Sequence, residues 1–353
     1  RHARLVHERG IDLYAAVLTR ARSHGISPWL TMRMNDVHFT ENPDFFLHSG
    51  FWKQHPEYHR VPWSVHAYAD RSLDFAIDAV QDHALALVGE LLERYDPDGL
   101  ELDWMRFVYH FRPGREHEGG RRLLGFLQKV RALADKAGRT RGRRIRLAAR
   151  LPARPETARG LGLDGIEWAR QGLADQLTLS PFFSTCDFEI PVERWAELLG
   201  ADRPRVALAP AMDMGVSPWP GGPRRWIDPE CVRGFAVSAL HRGADMVYLF
   251  NYQYMHDHRD GRTPVSWVNS FRENLRTVGE ARTVHPLARR HIVTYPDAVP
   301  LVVPTPALLP AELRQNRAYG FLLSLGPVPV TGRATVVVAL VDRPGLPNTV
   351  IEA

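Results

Sequence analysis

The sequence predicts an α/β fold: a TIM (β/α)8-type barrel, its first two strands expected to be missing from this chain, followed by a small C-terminal β-domain. Three observations predict it. Helical and strand-like patterns alternate between about residues 10 and 279, as in βα units around a parallel sheet. The 353 residues suffice for one large α/β domain and a small appendage. Polar side chains also recur on one phase of the strand-like segments, near the C-terminal ends where barrels collect functional groups.

A helix over 11–24 precedes a strand over 28–35, in which Leu30, Met32 and Met34 share the helix-facing phase and Thr31, Arg33 and Asn35 face inward. The stretch 37–71, rich in His, Pro and aromatics, reads as a long loop above the strand ends, and loops of this length usually carry function. Ala84, Leu87, Val88, Leu91, Leu92 and Tyr95 recur at three- and four-residue spacing and predict a helix over 78–95. It leads into the strand 100–104, where Glu101 and Asp103 point one way and Leu100, Leu102 and Trp104 the other. Carboxylates are rarely buried without partners, so the pair is either chemical or ion-paired to a neighbouring Arg.

A second apolar stripe, Leu123, Phe126, Leu127, Val130, Leu133 and Ala134, precedes the strand 145–151, whose Arg150 points inward. A short helix over 165–171 leads to a strand over 176–180 with Thr178 and Ser180 inward. A helix over 192–199 leads to 206–212, where Ala207, Ala209 and Ala211 line the interior ahead of Asp213. The last pair is a helix over 229–242 and a strand over 246–252. In that strand either Tyr248 and Tyr252 point inward with Phe250, or Asn251 does after a bulge.

Six strands result where a closed barrel needs eight, and only one helix precedes residue 28. The expectation is a truncated barrel, with an open sheet as the alternative. Short apolar runs cut by Pro and Gly at 292–295, 301–303, 319–325 and 334–341 predict the β-rich appendage. The domains are thus 1–284, the barrel, and 285–353, a small and incomplete β-domain.

Composition narrows the function. Lys and Arg total 45 against 40 acidic residues, a net charge of +5, but Lys53, Lys129 and Lys136 are the only lysines and the arginines are scattered. That is no polyanion footprint, and no nucleic-acid partner is expected. No run of 18 apolar residues exists, so no membrane span is expected. Cys186 and Cys231 are too few for a disulfide framework and lack metal-site spacing. The chain opens on Arg1 without a signal-peptide pattern, and localisation stays open.

The strand ends together present Arg33, Asn35, Glu101, Asp103, Arg150, Ser180 and Asp213, with Arg106 just beyond and Asn251 and Tyr252 from the last strand. Trp63, Trp219, Trp226, Phe182 and Phe183 are either stacking platforms for sugar rings or ordinary loop aromatics. Glycoside hydrolysis needs two carboxyl groups, one protonated as acid and one ionised as nucleophile or base. Asp103, Glu101 and Asp213 are the candidates: Asp103 as one essential carboxylate, Asp213 or Glu101 as its counterpart, with Arg33 and Arg150 as clamps. No cofactor or metal is required. The basic loop residues Arg112, Arg115 and His117 either favour an acidic glycan or are simply solvated.

The segment Asp98-Gly99-Leu100-Glu101-Leu102-Asp103-Trp104-Met105-Arg106, with the helix that follows Leu73-Asp74-Phe75-Ala76, resembles the fourth barrel strand of the glycosyl-hydrolase-like families, including the group called glycosyl hydrolase-like ten. The resemblance covers about residues 25–279 and makes 28–35 the third strand, 206–212 the seventh and 246–252 the eighth. It implies a TIM barrel acting on a polysaccharide or oligosaccharide. By position it implies an acid after strand four and a nucleophile after strand seven, which fall on Asp103 and Asp213. Barrels of the α-amylase type carry Arg where this chain has Glu101, which argues against that group. Two other classes stay open: a metal-dependent hydrolase using His256, Asp257 and His258 with His66 or His38, and a non-catalytic carbohydrate-binding barrel. Sugar, linkage and oligomeric state are left open.

Overall fold

The computed structural model describes residues 2–64, 68–181, 186–213, 215–216, 225–252, 272–294, 309, 311–312, 314, 316–328 and 331–337. Its centre is a six-stranded parallel sheet of β1 (Trp29–Arg33), β2 (Gly99–Asp103), β3 (Arg146–Pro152), β4 (Gln176–Ser180), β5 (Ala207–Met212) and β8 (Tyr248–Leu249). Each strand pairs with the next of these in the chain, the order of a (β/α) barrel. Two short strands, β6 (Gly215–Val216) and β7 (Arg225–Trp226), form an antiparallel pair between β5 and β8. The helices include α1 (His2–Glu8), α2 (Leu13–Ser23), α3 (Gly50–Gln54), α4 (Asp78–Arg94), α5 (Glu116–Thr140), α6 (Pro155–Gly160), α7 (Gly165–Arg170), α8 (Val192–Leu199) and α9 (Pro229–His241), with a short one, Ala281–Val284, beyond them.

The sheet is curled. Strands lie about 4.8 Å apart, so in a flat sheet β2 and β8 would be separated by four spacings, about 19 Å. Yet the Tyr248 hydroxyl on β8 donates to Glu101 on β2 at 2.9 Å, across the interior. β1 and β8 are the sheet's two edges among the described residues.

The predicted apolar stripes hold the helices to this wall. α4 buries Ala84, Val88 and Leu92 of its stripe together with Val80, while Leu87 is left exposed, and α5 buries Leu123, Phe126, Leu127, Val130 and Ala134. Gly99 opens β2 because the Trp29 indole lies on it: a Cβ there would sit 2.4 Å from the ring. α9 starts on Asp228, whose carboxylate accepts from Cys231 N at 2.8 Å, with Pro229 in the first turn.

The C-terminal region departs from expectation. The described parts of the runs at 319–325 and 334–337 carry no strand, and Val336 and Val337 are largely solvent-exposed. A strand needs a partner edge to satisfy its backbone, and none is offered there among the described residues. The segment instead leans on the rest of the chain, Ser324 N and Oγ donating to the Glu189 carboxylate at 2.7 Å each, while within it Arg289 donates to Pro327 O at 2.7 Å. The runs 301–303 and 338–341 lie outside the described residues, as do Phe182, Phe183, Trp219, His66 and the His256-Asp257-His258 motif. No helix of the described residues is long and apolar enough to cross a membrane.

Candidate active site

Parallel register aligns Arg33, Asp103 and Arg150 across β1, β2 and β3, and aligns Thr31 and Glu101 one layer below. The two acids share the inner face, as period 2 requires. Both are buried, and their surroundings are opposite in kind.

Asp103 belongs to an ionic layer. Arg150 Nη1 donates to both its oxygens at 3.0 Å, and the backbone N–H groups of Met105 and Arg106 donate to Oδ1 at 3.0 Å each. The turn after β2 therefore caps one oxygen, and Arg150 bridges to the other. Arg150 is fixed in turn: Nη2 donates to Ser180 Oγ at 2.9 Å, and Phe250 lies under the guanidinium 3.8 Å from its ring centre. The Ser180 hydroxyl in turn donates a hydrogen bond to Pro181 O at 3.1 Å.

Glu101 belongs to a hydroxyl layer. Thr31 and Tyr248 donate to Oε1 at 3.3 and 2.9 Å, and Thr178 donates to Oε2 at 2.9 Å while accepting from Gln176 Nε2 at 3.1 Å. Burial, and then the charge of Asp103, raise the Glu101 pKa above the usual carboxyl range; Arg150 and the hydroxyls only partly oppose this. Burial and the same carboxyl group push the Tyr248 hydroxyl up, so it stays a donor. Ala211, beside Tyr248 in register, is small enough to leave the phenol room.

The other predicted residues fare differently. Asn35 sits at the strand end, but its amide is spent on structure: Oδ1 accepts from Leu73 N at 2.9 Å, and Nδ2 donates to Leu73 O and His110 Nδ1 at 3.0 Å each. His110, with Nε2 donating to Trp104 O at 2.9 Å, is fully buried, and burial lowers its pKa to about 4. The pair pins the long loop to the turn after β2. Arg33 pairs with Asp36 at 3.0 Å rather than with Asp103. Arg106 Nη2 donates to His38 Nε2 at 2.9 Å. Asp213 follows β5 and is buried, with its carbonyl accepting from Cys186 Sγ at 2.8 Å.

Tyr252 corrects the reading of the last strand. It is buried against Asn274 and Arg233, behind the sheet, and burial raises its hydroxyl pKa to about 12. Tyr248 and Phe250 take the inward positions, because the chain leaves the strand at Asn251 with φ +54, a turn conformation that Asn tolerates. Trp63 is exposed on the long loop, with the Arg112 guanidinium 6.0 Å from its ring. Thr31, Thr178, Tyr248 and Phe250 are the site residues that single motifs missed, though strand alternation already placed the two threonines inward.

No family model matches the chain, and no curated protein matches it. Solved structures with a similar arrangement include the glycoside hydrolase domain of PelA from Pseudomonas aeruginosa, 16% identical over 67% of this chain and 83% of that one, with a TM-score of 0.37. The PgaB (BpsB) glycoside hydrolase domain from Bordetella bronchiseptica is 15% identical over 76% and 80%, with a TM-score of 0.45. A glycoside hydrolase family 18 N-acetylglucosaminidase from Paenibacillus barengoltzii is 11% identical over 56% and 77%, with a TM-score of 0.38. At these scores the likenesses carry no argument about chemistry, which must come from the side chains.

Among the described residues no group of three or more His, Cys, Asp or Glu is placed to hold a metal ion. The motif that would have supplied ligands, His256-Asp257-His258, lies outside them.

Proposed function

We propose that the chain is a glycoside hydrolase that cleaves O-glycosidic bonds of a polysaccharide or oligosaccharide with carboxyl groups at the C-terminal ends of the barrel strands. The observation that carries this is the paired carboxyls on β2: Asp103 bound to a guanidinium, and Glu101, two residues earlier, held toward its protonated form by burial and by Asp103. Adjacent carboxyls in unlike environments are the arrangement acid–base cleavage of an acetal requires. In this reading Asp103, held by Arg150, is one essential carboxyl group and Glu101 or Asp213 its counterpart. Arg150 and Ser180 orient Asp103, and the exposed Trp63 offers a face for a sugar ring.

A second reading is a carbohydrate-binding barrel without turnover. What favours it is the closure of the ionic layer: Asp103 and Arg150 are both nearly inaccessible, and Glu101 already receives three hydrogen bonds.

Reducing-sugar release across neutral and acidic polysaccharides tests both. Release by the wild type that falls at least about a hundredfold in Asp103→Asn, with binding retained, supports hydrolysis. Binding without release by the folded wild type across the panel supports the second reading instead.

A further inference from the structure

Asp103 and Arg150 occupy the inner part of the strand-end ring; the rim beside β1 is built differently. Arg33 Nη1 donates to Asp36 Oδ2 at 3.0 Å, and Asp36 Oδ1 accepts from His38 Nδ1 at 2.5 Å. His38 Nε2 in turn accepts from Arg106 Nη2 at 2.9 Å. A guanidinium only donates, so the imidazole is the Nδ1–H tautomer, and four side chains form one hydrogen-bonded row with a guanidinium at each end. The row is anchored to the candidate catalytic carboxylate, because Arg106 N donates to Asp103 Oδ1.

Like charges meet in this rim. Arg33 and Arg150 act on Arg106 as like charges, Asp36 and Asp103 as opposite ones. Like charges drawn together in a partly buried rim repel, and an incoming anion would relieve that repulsion. Arg33, Asp36 and His38 keep about two-fifths of their side-chain surface open to solvent, so a ligand can reach the row.

We propose that Arg33 and Arg106, tied together through Asp36 and His38, form a subsite for a carboxylate carried by the sugar bound beside Asp103. The preferred substrate is then a uronic-acid-containing glycan. A planar carboxylate suits the guanidinium fork, which gives paired, charge-assisted hydrogen bonds. The substrate class rests on the hydrolase reading, whereas the subsite itself can be tested without turnover.

The test is calorimetric titration of the wild type with tetragalacturonate, tetramannuronate and a hyaluronan tetrasaccharide, against neutral maltotetraose and cellotetraose and a sulfated carrageenan tetrasaccharide. At least one uronide is expected to bind about tenfold more tightly than either neutral sugar. Arg33→Gln and Arg106→Gln are each expected to weaken uronide binding about tenfold more than they weaken neutral-sugar binding, the loss of one charge-assisted contact. Should Arg106→Gln fail to fold, the exposed Arg33→Gln carries the test. Equal affinity for neutral and uronide sugars, preference for the sulfated one, or uronide binding unaltered in folded variants overturns the subsite. Uronide binding without reducing-sugar release would keep the subsite and defeat the hydrolase reading; release from neutral glycans without uronide preference would do the reverse.

Discussion

Two layers of the barrel interior, one residue pair apart, treat the same functional group in opposite ways. The upper layer surrounds Asp103 with a guanidinium and two backbone N–H groups; the lower surrounds Glu101 with the hydroxyls of Thr31, Thr178 and Tyr248. Guanidinium and amide donors can only donate, so the upper layer is matched to an anion. Hydroxyls both donate and accept, so the lower layer can satisfy a carboxyl in either protonation state. Proton affinity at this site is thus set by which neighbours the strands bring in.

Removing Arg150 should break the upper layer with the largest effect. Arg150→Met leaves Asp103 buried without its counter-charge, and urea unfolding should show a loss of about 3–5 kcal/mol. Repeating it in an Asp103→Asn background should recover much of that, since the uncompensated charge is then gone. If the single variant loses under about 1 kcal/mol, the pair is not the buried ionic contact described.

The lower layer should reveal itself through pH. Because the folded Glu101 pKa lies above the unfolded value near 4.5, the native state holds a proton that the unfolded state has released. The stability this adds is fully present below about 4.5 and is lost as pH rises toward the folded pKa. Glu101→Gln mimics the protonated form. Its stability should fall less steeply with pH than the wild type's, and parallel denaturation curves from about pH 4 to 8 would contradict the assignment.

The smallest effect sharpens the contrast. Tyr248→Phe removes one donor to Glu101 and should cost about 0.5–1.5 kcal/mol. It should also raise the Glu101 pKa further, because the Tyr248 hydroxyl bonds to the charged form. Carboxyl titration followed by infrared difference spectroscopy would check the direction; a downward shift would mean the hydroxyl serves the neutral acid instead.

Much of this was legible along the chain. The α4 and α5 stripes, the inward phase of Glu101 and Asp103 and the inward threonines follow from periods of 3.6 and 2, which are local properties. Asn35 shows where such reasoning stops: its amide is claimed by Leu73 and His110, residues brought in by two loops. Tyr252 shows it again, since the turn at Asn251 ends the alternation that would have pointed it inward.

By itself, then, the sequence determined the alternation of strands and helices from β1 to α9 and which face each acid of β2 occupies, because backbone sterics and the burial of apolar side chains act between near neighbours. Only the tertiary structure decided that Arg150 would take Asp103 rather than Glu101, and that Tyr248 would reach Glu101 from four strands away. Those choices depend on strand register and on the curl of the sheet, which set distances across the interior that no spacing along the chain encodes.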